Sequence, residues 1–226
     1  MGVIESTHGA KAGHPGGSLS AADLFAYLYN RELRIDPKNP KDPKRDRFVL
    51  SKGHTAPGLY AALAYRGFFP VADLPTLRHI DSYLQGHPNM NTVPGVDMST
   101  GSLGQGISAA AGMAKGAKYL HQDVNVYTLL GDGEIAEGEV WEAMLFAAHY
   151  KLDNFCMIKT DRFHRAETRS VKPSFSKFFN RHTALIDVKI VNNCTLGINK
   201  FINKSLILCL IERAINIIIV TATLIT

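Results

Sequence analysis

Cysteine is scarce in this chain. Among 226 residues only Cys156, Cys194 and Cys209 occur, with no Cys-x-x-Cys pair and no His-x-His spacing beside them. That excludes a disulfide framework and a closely spaced zinc site, and makes a reducing, cytoplasmic compartment the expectation. A secretory signal is also missing. Met1-Gly-Val-Ile-Glu-Ser6 has neither a basic start nor an apolar core, and its fit to the myristoylation pattern is short and common. The only long apolar run, residues 205–226, carries Glu212, Arg213 and Asn216 near its middle. A charge at the centre of a bilayer costs roughly 2.5–3.5 kcal/mol, so no membrane span is expected. Turn punctuation runs out as well. Residues 181–226 contain one glycine, no proline, 11 isoleucines and 5 asparagines, whereas residues 1–158 contain 18 glycines, 9 prolines and 6 isoleucines.

The charge divides at the same place. The chain is net +5, a value that by itself points to an acidic partner such as nucleic acid. Residues 1–158 hold 14 basic and 16 acidic side chains, and residues 159–226 hold 11 and 4. The basicity therefore belongs to the C-terminal segment, and no nucleic-acid partner is expected. Two segments follow: residues 1–158 as a domain, and 159–226 as a divergent, basic, Ile/Asn-rich tail that reads like an unselected frame.

Within the first segment, helix and strand signals alternate. Ser18 or Ser20 is placed to cap a helix carrying Ala21, Leu24, Phe25, Leu28 and Tyr29 on one face. Phe48–Leu50 predicts a short buried strand, and 59–65 a helix stopped by Gly67 and Pro70. Residues 85–106, with five glycines and two prolines, predict a long functional loop. A small-residue helix from Ile107 to about Leu120 follows, with Gly112 and Gly116 expected to permit close packing. Val124–Leu130 predicts a strand, Gly131-Asp-Gly133 its break, 139–150 a helix, and Phe155–Ile158 a second strand. Strand, glycine turn, helix and strand make a βαβ unit, so the expected class is α/β with a parallel sheet.

Several features can carry chemistry. Asp132 lies just past a strand's carboxyl end, where open α/β sheets bind ligands, and its carboxylate suits a hard cation while Gly131 and Gly133 let backbone approach a phosphate. A bare turn is the alternative. His14, His54 and His87 each follow a glycine and lie off any periodic apolar face. Loop imidazoles of this kind bind phosphate or sugar hydroxyls, move protons, or form a three-histidine zinc site. Gly101-Ser102-Leu103-Gly104-Gln-Gly106 is a glycine loop entering a helix, the layout that offers backbone N–H groups to an anion. Gly104-Gln-Gly106-Ile-Ser-Ala109 also matches a dinucleotide fingerprint, without the strand that fingerprint needs before it. Glu134, Glu137, Glu139 and Glu142 read mostly as a solvated helix start.

Together, Lys11-Ala-Gly-His-Pro-Gly-Gly17, Arg45-Asp-Arg-Phe-Val-Leu-Ser-Lys-Gly-His54, Gly86-His-Pro88, Ser99-Thr-Gly-Ser-Leu-Gly-Gln-Gly106 and Leu130-Gly-Asp-Gly-Glu-Ile-Ala-Glu-Gly138 resemble the N-terminal part of transketolase, most closely the shorter N-terminal subunits of split transketolases. The resemblance covers residues 1–158. It implies a thiamine-diphosphate pyrophosphate-binding domain, incomplete here, in an enzyme that moves a two-carbon ketol unit between sugar phosphates. By the family's pattern His54, Gly101, Ser102, Leu103, Gly104, Gly131, Asp132 and Gly133 would hold the cofactor, with Asp132 on Mg²⁺. His14 and His87 would face substrate, and Glu137 would lie at a subunit interface.

Two departures accompany the resemblance. The family's metal motif continues, after its next strand, with an Asp-x-Asn segment, and the Asn position falls here on Arg162, with Asp161 one residue out of register. At 4 Å and an effective dielectric near 20, an Arg there opposes a divalent ion by roughly 8 kcal/mol unless it swings away. The second departure is that the family's site is completed by a pyrimidine-binding domain, which supplies the glutamate that activates the cofactor. No such domain fits in 226 residues. A partner chain carrying it, and an oligomer, are therefore expected. The competing expectations are a non-catalytic binding or assembly module and an inactive truncated or frame-shifted product.

Overall fold

The structure, a computed structural model, describes residues 1–160 and the backbone of 217–220. Three parallel strands form its centre: β1 (Arg47–Leu50), β2 (Val126–Leu130) and β3 (Phe155–Thr160), paired in the order β1-β2-β3. A fourth, β4 (Ile217–Val220), pairs antiparallel with β3, Thr160 opposite Ile217. The parallel arrangement follows the sequence expectation. The antiparallel edge strand does not, since it comes from the segment read as a tail, and β3 itself runs to Thr160, past the expected break.

Side-chain parity explains the layering. Along a strand, alternate residues face opposite sides. Phe48, Leu50, Tyr127, Leu129, Cys156 and Ile158 pack on one side against α3 (Ala22–Tyr27) and α4 (Ala56–Arg66). Val49, Val126, Leu130, Phe155 and Met157 pack on the other against α5 (Gln105–Tyr119) and α6 (Gly138–His149). Both faces are covered, which is why these strands read as continuous apolar runs rather than alternating ones. Thr128 is the polar exception on the second face, and its hydroxyl donates to the Val49 carbonyl at 3.1 Å.

Helix ends differ from expectation in instructive ways. The helix predicted with a serine cap begins at Ala22, with Ala21 in the cap position and no side-chain cap bond. Ser18 belongs instead to α2 (Pro15–Leu19), a one-turn helix started by Pro15. An unpredicted helix, α1 (Gly2–Ala10), packs near α4. α4 stops as expected, because Gly67 takes a left-handed φ of 97° and donates back to Leu63 and Ala64. Gly112 and Gly116 do not mediate close packing. A Cβ added at either meets nothing within 4 Å among the described residues.

Candidate functional site

The carboxyl ends of β1 and β2 feed directly into the two turns that carry the sequence motifs. After Leu50 the chain runs through Ser51 and Lys52 into a short 3-10 turn over Gly53–Thr55, which presents a half-buried His54. After Leu130 come Gly131 and an exposed Asp132, then a 3-10 turn over Gly133–Ala136. The loop 85–104 closes the same rim. Its conformation is fixed by polar anchors rather than by apolar packing alone. Thr100 Oγ1 donates to the Leu50 carbonyl at 2.6 Å, and the Tyr60 hydroxyl lies 2.9 Å from the carbonyls of both Gln85 and His87. Asp97, almost fully buried, accepts from the Phe48 amide at 2.8 Å and from the Arg45 guanidinium.

These anchors bring the predicted residues together. The His14 and His54 rings meet edge to face at 5.3 Å between centroids. A Cβ on Gly101 would come 3.4 Å from the His87 ring, so the glycine loop and that imidazole are in contact. Gly53 lies so close to the Thr100–Gly101 backbone that an added Cβ would be 2.8 Å from the Thr100 carbonyl carbon. Gly104, in the left-handed region at φ 87°, starts α5 and backs onto Glu137, its Cβ position 3.0 Å from the Glu137 Cβ. Ser102 and Leu103 are exposed on the outer side of the loop, as are Asp132, Gly133 and Glu137 on their turn. His87 is held below the ordinary imidazole value of 6.5, first by partial desolvation, then by the Arg78 guanidinium, then by His14. It is therefore neutral at pH 7, able to donate from one ring nitrogen and accept at the other.

Glu134 is the exception to the reading of the acidic cluster as mostly a solvated helix start, since Glu137 and Glu142 are exposed and Glu139 half-buried. Glu134 is 1 % exposed. One carboxylate oxygen accepts from Ser51 Oγ at 2.5 Å and from the Gly104 amide at 2.9 Å, and the other accepts from the Gly131 amide at 2.9 Å. Ser51 Oγ in turn accepts from the Ile107 amide of α5 at 3.2 Å. No spacing in the sequence separates Glu134 from its solvated neighbours; only the folded turn does. Tyr60 and Arg78 were equally hidden, one inside an apolar helix face and the other in a loop.

The residues fit a diphosphate better than they fit a divalent cation. For an anion there is a glycine loop at a helix N-terminus, with imidazoles beside it and exposed backbone on its outer side. For Mg²⁺ the Gly131–Gly133 turn offers one carboxylate, the outward Asp132, because Glu134 just beyond it is turned inward. No group of three His, Cys, Asp or Glu side chains that could hold a metal occurs among the described residues, which also leaves the three-histidine zinc alternative unassembled. Lys52, 2 % exposed, runs beneath Gly131 and donates through Nζ to Thr160 Oγ1. The sequence-level concern over Arg162 and Asp161 lies outside the described residues. The dinucleotide fingerprint is likewise not supported: α5 is preceded by loop, and Gly106 is small because Ser51 backs it, 2.6 Å from an added Cβ.

Residues 2–172 match the family described as "Transketolase, thiamine diphosphate binding domain". The chain belongs to the transketolase family. The match runs beyond the expected limit at residue 158. Among curated relatives, the 6-deoxy-6-sulfo-D-fructose transketolase subunit SqwG of a Clostridium species is 52% identical over 142 residues, 63% of this chain and 52% of its own. Human transketolase is 51% identical over 159 residues, 69% of this chain and 25% of its own. Transketolase from Campylobacter jejuni superposes with a TM-score of 0.68 at 34% identity, over 77% of this chain and 29% of that one. The chain thus spans about half the length of the subunit and about a quarter of human transketolase. Its parallel sheet, with helices on both faces, is the transketolase N-terminal fold. Among the described residues, no helix is long and apolar enough to cross a membrane.

Proposed function

We propose that this chain is the N-terminal component of a transketolase-type enzyme, holding the diphosphate end of thiamine diphosphate while a partner chain completes the site. The observation that carries this is the convergence of His14, His54, His87, the Gly101–Gly104 loop and the Gly131–Gly133 turn on one rim at the carboxyl ends of β1 and β2. The reaction is the transfer of a two-carbon ketol unit between sugar phosphates. The cofactor supplies the carbanion chemistry, and the protein supplies orientation and charge. His54 and the glycine loop, with Ser102 and Leu103 outward, hold the cofactor beside Gly131 and Gly133. Neutral His87 and the neighbouring His14 take sugar hydroxyls, each hydrogen bond orienting the substrate. Asp132 is the carboxylate available to Mg²⁺, which needs further oxygen ligands from water and the diphosphate.

A partner is supported by surface chemistry as well as by relatives such as SqwG being named as subunits. On α6, Leu145 is 64 % exposed, and Phe146 and Tyr150 are exposed beside it, on the helix that starts just past Glu137. A contiguous apolar helix face of this kind marks a contact surface. The single carboxylate on the Gly131–Gly133 turn favours one second reading, a cofactor-binding or assembly module that has kept the interface and weakened its metal site. Titrating the full chain with thiamine diphosphate separates them, with and without Mg²⁺ and with and without a pyrimidine-domain transketolase chain. Saturable, Mg²⁺-enhanced binding together with ketol transfer in the mixture supports the enzyme reading. Binding without transfer supports the module, and no binding in any mixture overturns both.

A further inference from the structure

We propose that Glu134 is a positioning residue, a buried carboxylate latch that fixes the Gly101–Gly104 loop and the Gly131–Gly133 turn relative to each other. Three segments distant in sequence meet at its two oxygens: the end of β1 through Ser51, the start of α5 through Gly104, and the end of β2 through Gly131. All three carry or adjoin residues assigned to the cofactor. The chemistry requires a carboxylate. An ionised Glu accepts at both oxygens, while Gln accepts at one and donates from the other. With Gln at 134, either the Ser51 and Gly104 donors or the Gly131 donor must face an N–H group. The latch also decides which way the loop's amides point. The Gly104 N–H is spent inward on Glu134, so an anion on the rim is met by the loop's outer side, where Ser102 and Leu103 are exposed.

The latch stands on this geometry; its consequence for cofactor rests on the function proposed above. Amide hydrogen exchange on the full chain, without cofactor, tests the first part. In Glu134→Gln the oxygen stays with its two donors, so the Gly131 amide is expected to exchange at least tenfold faster while the β2 amides stay protected. Glu134→Ala should release both Gly104 and Gly131, and Glu134→Gln decides the matter if that variant folds poorly. Exchange at both glycines within twofold of wild type in Glu134→Gln overturns the latch. With a pyrimidine-domain partner present, Glu134→Gln should raise the thiamine diphosphate half-saturation at least tenfold, more than it raises that of the sugar phosphate. A larger effect on the sugar phosphate overturns the cofactor role. Wild-type chain that fails to bind cofactor sinks the proposed function instead, and the exchange measurement still judges the latch.

Discussion

Replacing Gly53 with alanine should separate the packing of this site from the rest of the fold. The added Cβ would lie 2.8 Å from the Thr100 carbonyl carbon, and 2.9 Å from both the Thr100 oxygen and the Gly101 nitrogen. Ordinary contacts begin at 3.4 Å, so three backbone atoms must each retreat by about half an ångström. A side chain could rotate aside, but these atoms belong to the main chain. Thr100 is also tethered to the Leu50 carbonyl at 2.6 Å, so moving it stretches a part-buried hydrogen bond. Overpacking costs about 1–3 kcal/mol and a lost hydrogen bond about 0.5–1.5, which puts the total at about 1.5–4.5 kcal/mol. Urea denaturation of Gly53→Ala should show that loss, and whatever remains folded should bind thiamine diphosphate more weakly because Gly101 has moved off His87. Gly133→Ala, whose Cβ meets nothing within 4 Å among the described residues, is the steric control for the urea measurement alone. A Gly53→Ala variant within 0.5 kcal/mol of wild type, with unchanged cofactor binding, would refute the reasoning.

The remaining expectations are shorter. Gly112→Ala, at an exposed position inside α5 with open space for its Cβ, should stabilise the chain by about 0.5–1 kcal/mol in urea; a destabilised variant would mean that something packs there. Asp97→Ala leaves the Phe48 amide and a largely buried Arg45 guanidinium without their acceptor, so a loss of about 3–5 kcal/mol is expected, and less than 1 kcal/mol would contradict the anchoring role. His87 should titrate below 6.5 by NMR, and Arg78→Gln should raise its midpoint part-way toward 6.5, since desolvation, the leading cause, remains. Because the folded state resists protonation there, the unfolded chain takes up the proton first as pH falls below about 6.5. Folding stability should therefore decline as pH falls from about 6.5 to the lowered midpoint, with no contribution from His87 above about 6.5. A wild-type midpoint at or above 6.5 would end this account.

Much of the candidate site was legible because its residue types are chemically unusual where they stand. Glycine-flanked histidines and a glycine loop before a helix have few purely structural explanations, and the folded chain brings His14, His54, His87 and Gly101 onto one rim. The βαβ pattern was legible because β2 and β3 are buried on both faces and so are written as apolar runs between turn signals. Cap residues were misread because Ser18 has a helix of its own, set by Pro15, which local pattern alone does not reveal. Gly112 and Gly116 were misread because small residues in a helix signal either close packing or mere tolerance, and sequence does not distinguish the two.

By itself the sequence determined the family, the parallel α/β class and the glycine- and histidine-bearing loops that form the candidate site, since each is encoded in local spacing. Tertiary structure decided what Glu134, Tyr60 and Asp97 do. Glu134 and Glu137 are both glutamates on one turn, yet one is buried among three donors and the other faces outward. That difference depends on Ser51, Gly104 and Gly131 arriving from the end of β1, the start of α5 and the end of β2, and burial by separate segments is a property no local pattern contains.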